Sequence, residues 1–262
     1  MQLLVNAAPV YAYTGTRHFH GARPTIVFVH GAANDHSVWA LQSRYFAHHG
    51  SNAVAVDLPG HGRSGGEALP SIAAIADWLA ALLDALGAGR AALVGHSMGA
   101  LAALEAAARH PARVRALALL GPAAPMAVSD ALLDAARAGD HLACELMTGW
   151  ALSAGSHLGG SRQPGVWMAG SALRLIERSG AGVLHADLDA CHRYDNGLAA
   201  AAAVACSTLV ICGQRDQMVP PKNAGPLLAA LADKRVVTIS GCGHSMMAEA
   251  PDAVLDALRE FL

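Results

Sequence analysis

Gly95-His-Ser-Met-Gly99 sets a serine between two glycines, each two residues away. The pentapeptide follows the apolar run Ala91-Ala-Leu-Val94 and opens the alanine-rich stretch from Ala100 to His110, which predicts a sharp turn from strand to helix. A turn of that kind needs neighbours without bulk. It also puts Ser97 at a helix N-terminus, where the dipole and free N–H groups favour developing negative charge. A serine hydroxyl is a weak nucleophile that needs a base, and the base needs an acid to orient it. Behind the turn come an aspartate and then a histidine, the chain order found where the serine sits on a strand-to-helix turn of this kind. Thr208-Leu-Val-Ile211 leads through Cys-Gly-Gln-Arg to Asp216, and Val236-Val-Thr-Ile239 leads through Ser-Gly-Cys-Gly to His244. Either residue alone reads as a solvated or capping loop residue. In order behind an intact serine turn, they predict Ser97 as nucleophile, His244 as general base and Asp216 as its orienting acid.

A tetrahedral intermediate also needs two backbone donors for its oxyanion. One is the N–H of Met98, directly after the serine. The other falls in the loop after Thr25-Ile-Val-Phe-Val29, at His30-Gly-Ala-Ala33, with Ala32 favoured and Ala33 the alternative.

These residues require a sheet to hold them at one edge. Continuous apolar runs at 25–29, 54–57, 91–94, 116–120, 208–211 and 235–239 suit strands buried on both faces, as in a parallel sheet covered by helices. A leading hairpin is expected from Leu3–Val5 and Val10–Tyr13, with a turn at Gly15. Between the runs, Ile72, Ile75, Leu79, Leu82, Leu83 and Leu86 recur at helical spacing behind a Ser71 cap and stop at Gly87. Another helix ends at Pro111, and a last one starts near Pro251. Alternating strand and helix predict an α/β class with a doubly wound, mostly parallel sheet. The alternation stops at about Pro122 and resumes at about Ala203. That stretch holds helical pieces (129–138, 141–151, 171–177) and a Gly/Pro-rich break at 159–165. The expected organisation is a core of residues 1–121 and 204–262 with a helical insertion at 122–203. Met126, Trp150, Trp167 and Met218 are candidates to line an apolar substrate pocket.

Composition narrows the classes. With 262 residues, 53% hydrophobic and 15% charged, the chain fits one well-filled domain with an insertion. A net charge of −2 gives no reason to expect nucleic acid or an anionic membrane surface. Compact, uncharged substrates are the easier fit. Five scattered cysteines without a C-x-x-C pair predict reduced thiols, and fourteen histidines without H-E-x-x-H predict no metal site. Gly60-His-Gly-Arg-Ser-Gly65 satisfies G-x-G-x-x-G, but Gly66–Pro70 separates it from the next helix and no acid ends the following strand. A tight turn is expected there, not a dinucleotide site. The N-terminus lacks a basic region, and no apolar run reaches the roughly 20 residues of a bilayer span, so a soluble cytoplasmic protein is expected.

Taken together, His30-Gly31, Asp57-Leu-Pro-Gly-His-Gly-Arg-Ser64, the Ser97 turn, Gly213-Gln-Arg-Asp216 with Pro220, and Gly241-Cys-Gly-His244 resemble the α/β-hydrolase superfamily. The resemblance spans nearly all of the chain outside the insertion, which corresponds to that family's variable cap. One departure is the loop after Gly31, which reads Ala-Ala-Asn-Asp without the further glycine or proline many relatives carry. The resemblance implies the α/β-hydrolase fold, no cofactor, and hydrolysis of a small to medium carboxylic ester or lactone through an acyl-enzyme. Carbon–carbon hydrolysis, acyl transfer and peracid formation use the same residues and stand as alternatives. A non-catalytic small-molecule receptor is the alternative from another class.

Overall fold

The computed structural model describes residues 1–157, 159–160 and 165–262. The chain opens with an antiparallel hairpin, β1 (Gln2–Val5) and β2 (Ala8–Tyr13), turned at Asn6-Ala7, and Gly15 at φ 60° turns the chain out of it. Six further strands follow: β3 (Thr25–Val29), β4 (Asn52–Val56), β5 (Ala91–His96), β6 (Val114–Leu120), β7 (Thr208–Gly213) and β8 (Lys234–Ile239). The sheet runs β1-β2-β4-β3-β5-β6-β7-β8, parallel from β4 onward. This is the α/β-hydrolase fold.

The unbroken apolar strands are explained by two cores. On β3, Val27 and Val29 face one cluster, with Leu79, Leu82 and Leu101, while Ile26 and Phe28 face the other, with Trp39, Phe46, Val254 and Leu258. Side chains alternate across a strand, so a strand covered on both faces is apolar at every position. The covering helices are α1 (Ala40–His48), α2 (Ile72–Ala85) and α3 (Met98–Arg109). The Ser71 hydroxyl accepts the Ala74 N–H at 3.1 Å, and Gly87 at φ 64° ends the turn after α2.

β8 departs from this pattern. It lies at the sheet edge and is mostly exposed, Val236 included at 46%. An edge strand has one neighbour and incomplete helix cover, so its apolar run does not report burial on both faces.

Between β6 and β7 the described residues form six helices: α4 (Asp130–Ala138), α5 (Leu142–Ala151), α6 (Ala154–His157), α7 (Met168–Glu177), α8 (Val183–His192) and α9 (Gly197–Ala203). The expected break at 159–165 falls partly outside the described residues. After β7 come α10 (Gly225–Ala230), α11 (Met246–Glu249) and α12 (Pro251–Phe261). Among the described residues, no helix is long and apolar enough to cross a membrane.

Phe28 is fully buried, its ring centroid 5.4 Å from that of Trp39 and 6.1 Å from that of Phe46. Phe28→Ala should lower stability by about 3–5 kcal/mol, read as a shift in the denaturant midpoint; a shift below about 1 kcal/mol would contradict this packing.

Candidate active site

β5 ends at His96 and α3 begins at Met98, so a single residue, Ser97, makes the turn. Its φ of 54° and ψ of −117° lie in a region that non-glycine residues rarely occupy. Crowding explains the flanking glycines. A side-chain carbon on Gly95 would fall on the Gly99 carbonyl, and one on Gly99 would fall on the carbonyls of Val29 and His30. The Ser97 N–H donates to the Leu120 carbonyl at 2.9 Å, which ties the turn to the end of β6.

The loop after β7 delivers Asp216. Its Oδ1 accepts the Val219 N–H at 2.7 Å, and its Oδ2 accepts from His244 Nδ1 at 2.7 Å. Both side chains are nearly fully buried. A carbon added at Gly121, the residue after Leu120, would lie 2.9–3.0 Å from the His244 ring. Leu120-Gly121 therefore carries the Ser97 backbone on one residue and the imidazole on the next. His244 Nε2 is buried without a protein partner. Ser97 and His244 line one small crevice with Gly31, Ala32 and Met218. Asp216 and His244 are thus hydrogen-bonded to each other, and Ser97 lines the same crevice as His244 past the carboxyl ends of the strands, with no hydrogen bond between the Ser97 hydroxyl and the His244 ring among the described residues.

The loop after β3 separates the two oxyanion alternatives. The Ala33 N–H donates to Asp187 Oδ2 at 2.8 Å and is engaged. The N–H groups of Ala32 and Met98 donate to no acceptor among the described residues, and Ala32 lines the crevice beside Ser97.

A cavity of about 260 Å³ adjoins Ser97 beside the helices that follow β6, lined by Met126, Leu132, Trp150, Leu188, Met218 and Val219 among others. Three of the four pocket candidates are thus on its wall. Trp167 is not. It is 70% exposed at the start of α7, and its indole occupies the space where a side chain on Gly170 would go, so it covers its own helix turn.

The buried histidines beside the crevice divide by environment. Burial, reinforced by repulsion from His61, pulls His30 down to about 4. Its Nε2 accepts the Leu58 N–H at 3.1 Å, so Nδ1 carries the proton and donates to the Gly31 carbonyl. His96 is held well below the usual imidazole range by burial and by His244, to whose carbonyl Nε2 donates at 3.0 Å. Burial also disfavours a charge on His61, but the hydrogen bond and charge of Asp187 outweigh it and raise its pKa.

Two of the buried acids that escape sequence reasoning hold loops beside the crevice. Asp187, on α8, receives His61 and Ala33 as described. Glu249, at the end of α11, accepts the Gly243 N–H at 3.0 Å on one oxygen. On the other it accepts Ser153 N–H at 3.0 Å, the Ser153 hydroxyl at 2.5 Å and the Ser156 hydroxyl at 2.7 Å. Nothing in periodicity or local motif marks either residue.

The glycine motif at 60–65 is a structural turn. Gly62 has no room for a side chain against the Asp57 carboxylate. That carboxylate accepts the Arg63 and His36 N–H groups at 2.8 and 2.7 Å, and these bonds, with the His36 ring, hold its pKa down against the effect of burial. Asp35, His36 and Asp57 are the one grouping among the described residues with metal-ligand spacing. Their oxygens already serve the His36, Ser37 and Arg63 N–H groups and the Arg178 guanidinium. The five cysteines form no disulfide, and burial pushes the Cys212 thiol up to about 11.

The chain belongs to the alpha/beta hydrolase family, whose model matches residues 26–257. Lipase LipV of Mycobacterium tuberculosis is 41% identical over 100 residues, 37% of this chain and 37% of the lipase. The 2-(acetamidomethylene)succinate hydrolase of Mesorhizobium japonicum is 28% identical over 275 residues, covering 92% of this chain and 89% of that enzyme. The crystal structure of the enol-lactonase from Burkholderia xenovorans LB400 superimposes with a TM-score of 0.87 at 23% identity, covering 100% of this chain and 99% of the other. Across several other curated relatives the matches cover 27% to 57% of the relative's own length.

The close approach at Gly99 gives a direct test. Gly99→Ala should destabilise the protein by about 3 kcal/mol, seen as a lowered melting temperature, because the added carbon meets backbone on both sides. Gly89→Ala, with nothing within 4 Å of the added carbon, should change stability little. Equal behaviour of the two variants would refute the crowding.

Proposed function

We propose that the protein hydrolyses small to medium carboxylic esters or lactones through an acyl-enzyme on Ser97. The observation that carries this reading is the His244 ring. Its Nδ1 is bound to Asp216 at 2.7 Å, while its unpartnered Nε2 belongs to a residue lining the crevice of Ser97. His244 takes the Ser97 proton as the oxygen attacks the carbonyl carbon. The resulting oxyanion is held by the Ala32 and Met98 N–H groups, each worth about 2.7–4 kcal/mol of barrier. As the intermediate collapses, His244 protonates the departing alkoxide. A water molecule deprotonated by His244 then attacks the acyl carbon, the acid leaves and Ser97 recovers its proton. Asp216 holds the ring in the tautomer that keeps Nε2 available and stabilises its cationic form. No step calls for a cofactor.

Residues 122–203 act in this reading as a cap, and the cavity beneath it receives the acyl group. The apolar wall of Met126, Trp150, Leu188 and Met218 favours an aliphatic or aryl acyl chain over a charged one. Two of the relatives' names, a lipase and an enol-lactonase, are those of enzymes that open carboxylic ester bonds, which supports this reading.

Ser97→Ala should abolish labelling by a fluorophosphonate and lower aryl-ester turnover on the order of 10⁶-fold, the size of that loss in another serine hydrolase. Undiminished turnover in the variant would end the proposal. Trp150→Ala should shift the preferred p-nitrophenyl ester toward longer acyl chains while Ser97 still labels; an unchanged chain-length profile would remove the acyl group from this cavity.

A further inference from the structure

We propose that Asp187, reaching in from α8, is a positioning residue that sets the direction of the Ala32 amide toward the oxyanion. The inference rests on the ester-hydrolase reading above. Asp187 is 1% exposed, and a single oxygen, Oδ2, accepts both the Ala33 N–H and His61 Nε2, each at 2.8 Å. Ala33 directly follows the proposed donor and sits at φ 53°, a left-handed conformation that an alanine adopts only when its surroundings impose it. The bond to Asp187 is such an imposition. It anchors one end of the peptide segment whose other end, at Gly31, presses against the serine turn, where an added carbon would lie 3.2 Å from Ser97 Cβ.

His61 completes the device. Its Nδ1 lies 2.9 Å from the Pro59 carbonyl and its Nε2 lies 2.8 Å from the carboxylate, and both partners are acceptors, so both ring nitrogens donate. The ring is 2% exposed and faces Asp187 from α8, His30 from the end of β3, with centroids 4.9 Å apart, and Asp57 from the end of β4. A charge-assisted bond in so buried a place holds Asp187 more firmly than a neutral partner would. The helices between β6 and β7 are thereby coupled to the oxyanion donor through one carboxylate that lines neither cavity at Ser97.

The test compares Asp187→Leu, which keeps bulk and removes the acceptor, with Asp187→Asn, which keeps an acceptor and removes the charge. Both are assayed with p-nitrophenyl esters well below their melting temperatures. Asp187→Leu should lose about 100-fold in kcat with KM within twofold of wild type, and Asp187→Asn should recover about tenfold of that loss. If Asp187→Leu does not fold, Asp187→Asn decides alone: about tenfold lower kcat at constant KM supports the proposal. His61→Gln should resemble Asp187→Asn, and the double variant should be no worse than either single one, because the two act through one contact. A folded Asp187 variant with wild-type kcat, or one in which only KM rises, overturns the proposal. Wild-type protein that neither turns over esters nor labels at Ser97 would instead overturn the function on which it rests.

Discussion

The site depends first on how closely three backbone segments can approach. The start of α3 lies so near the end of β3 and its own strand β5 that the carbonyls of Val29, His30 and Gly99 occupy the places where side chains at 95 and 99 would begin. That contact forces the chain to reverse within one residue, holds Ser97 at a positive φ, and aims the first N–H groups of α3 at the crevice. A looser junction would permit ordinary backbone angles, and the serine would then lie along the helix instead of standing above the sheet. The strain at Ser97 is sustained by the packing of β3, β5 and β6 around it, buried at every position but Arg115.

Around that junction the buried carboxylates are saturated by donors. Asp216, Asp57, Asp187 and Glu249 each accept at least one backbone N–H as well as a side chain. An unpaired buried charge would cost several kcal/mol, and these bonds remove that penalty while fixing loops that have no regular structure. The imidazoles follow the same logic from the other side. His30 and His96 are surrounded by backbone groups and other rings, and they stay neutral. His61 meets a carboxylate, which raises its pKa against the effect of burial. One residue type thus serves as a neutral spacer in two places and as a carboxylate's partner in a third.

Much of the core and the positions of the proposed reacting residues could be read from sequence because each is marked locally. Ser97 is bracketed by glycines, and Asp216 and His244 each follow a strand whose apolar run is unmistakable. The capped start of α2 at Ser71 and its end at Gly87 are equally plain. Contacts made across the chain were not legible. Asp187 and Ala33 are 154 residues apart and Ser153 and Glu249 are 96 apart, and no spacing rule connects them. The choice between Ala32 and Ala33 turns on the first of these contacts, which no spacing in the sequence discloses. α8 was obscured because its buried face contains Asp187 among Val183, Leu184 and Leu188, which interrupts the apolar stripe. Trp167 shows the reverse error, since a large aromatic beside a cavity-forming segment suggests a wall residue but here covers a helix turn.

The tethering of the inserted helices has an evolutionary corollary. Besides the Asp187 and Glu249 contacts, the Tyr194 hydroxyl and the Asn196 amide donate to Glu105 on α3 at 2.6 and 2.9 Å. Segment swapping between relatives, a natural way to acquire a new specificity, would therefore leave Glu105, Glu249 and His61 stranded without their counterparts. New pockets in this lineage should arise by drift within the existing helices or by wholesale inheritance of the three anchoring points, and grafts by recombination should succeed only where the recipient already bears them.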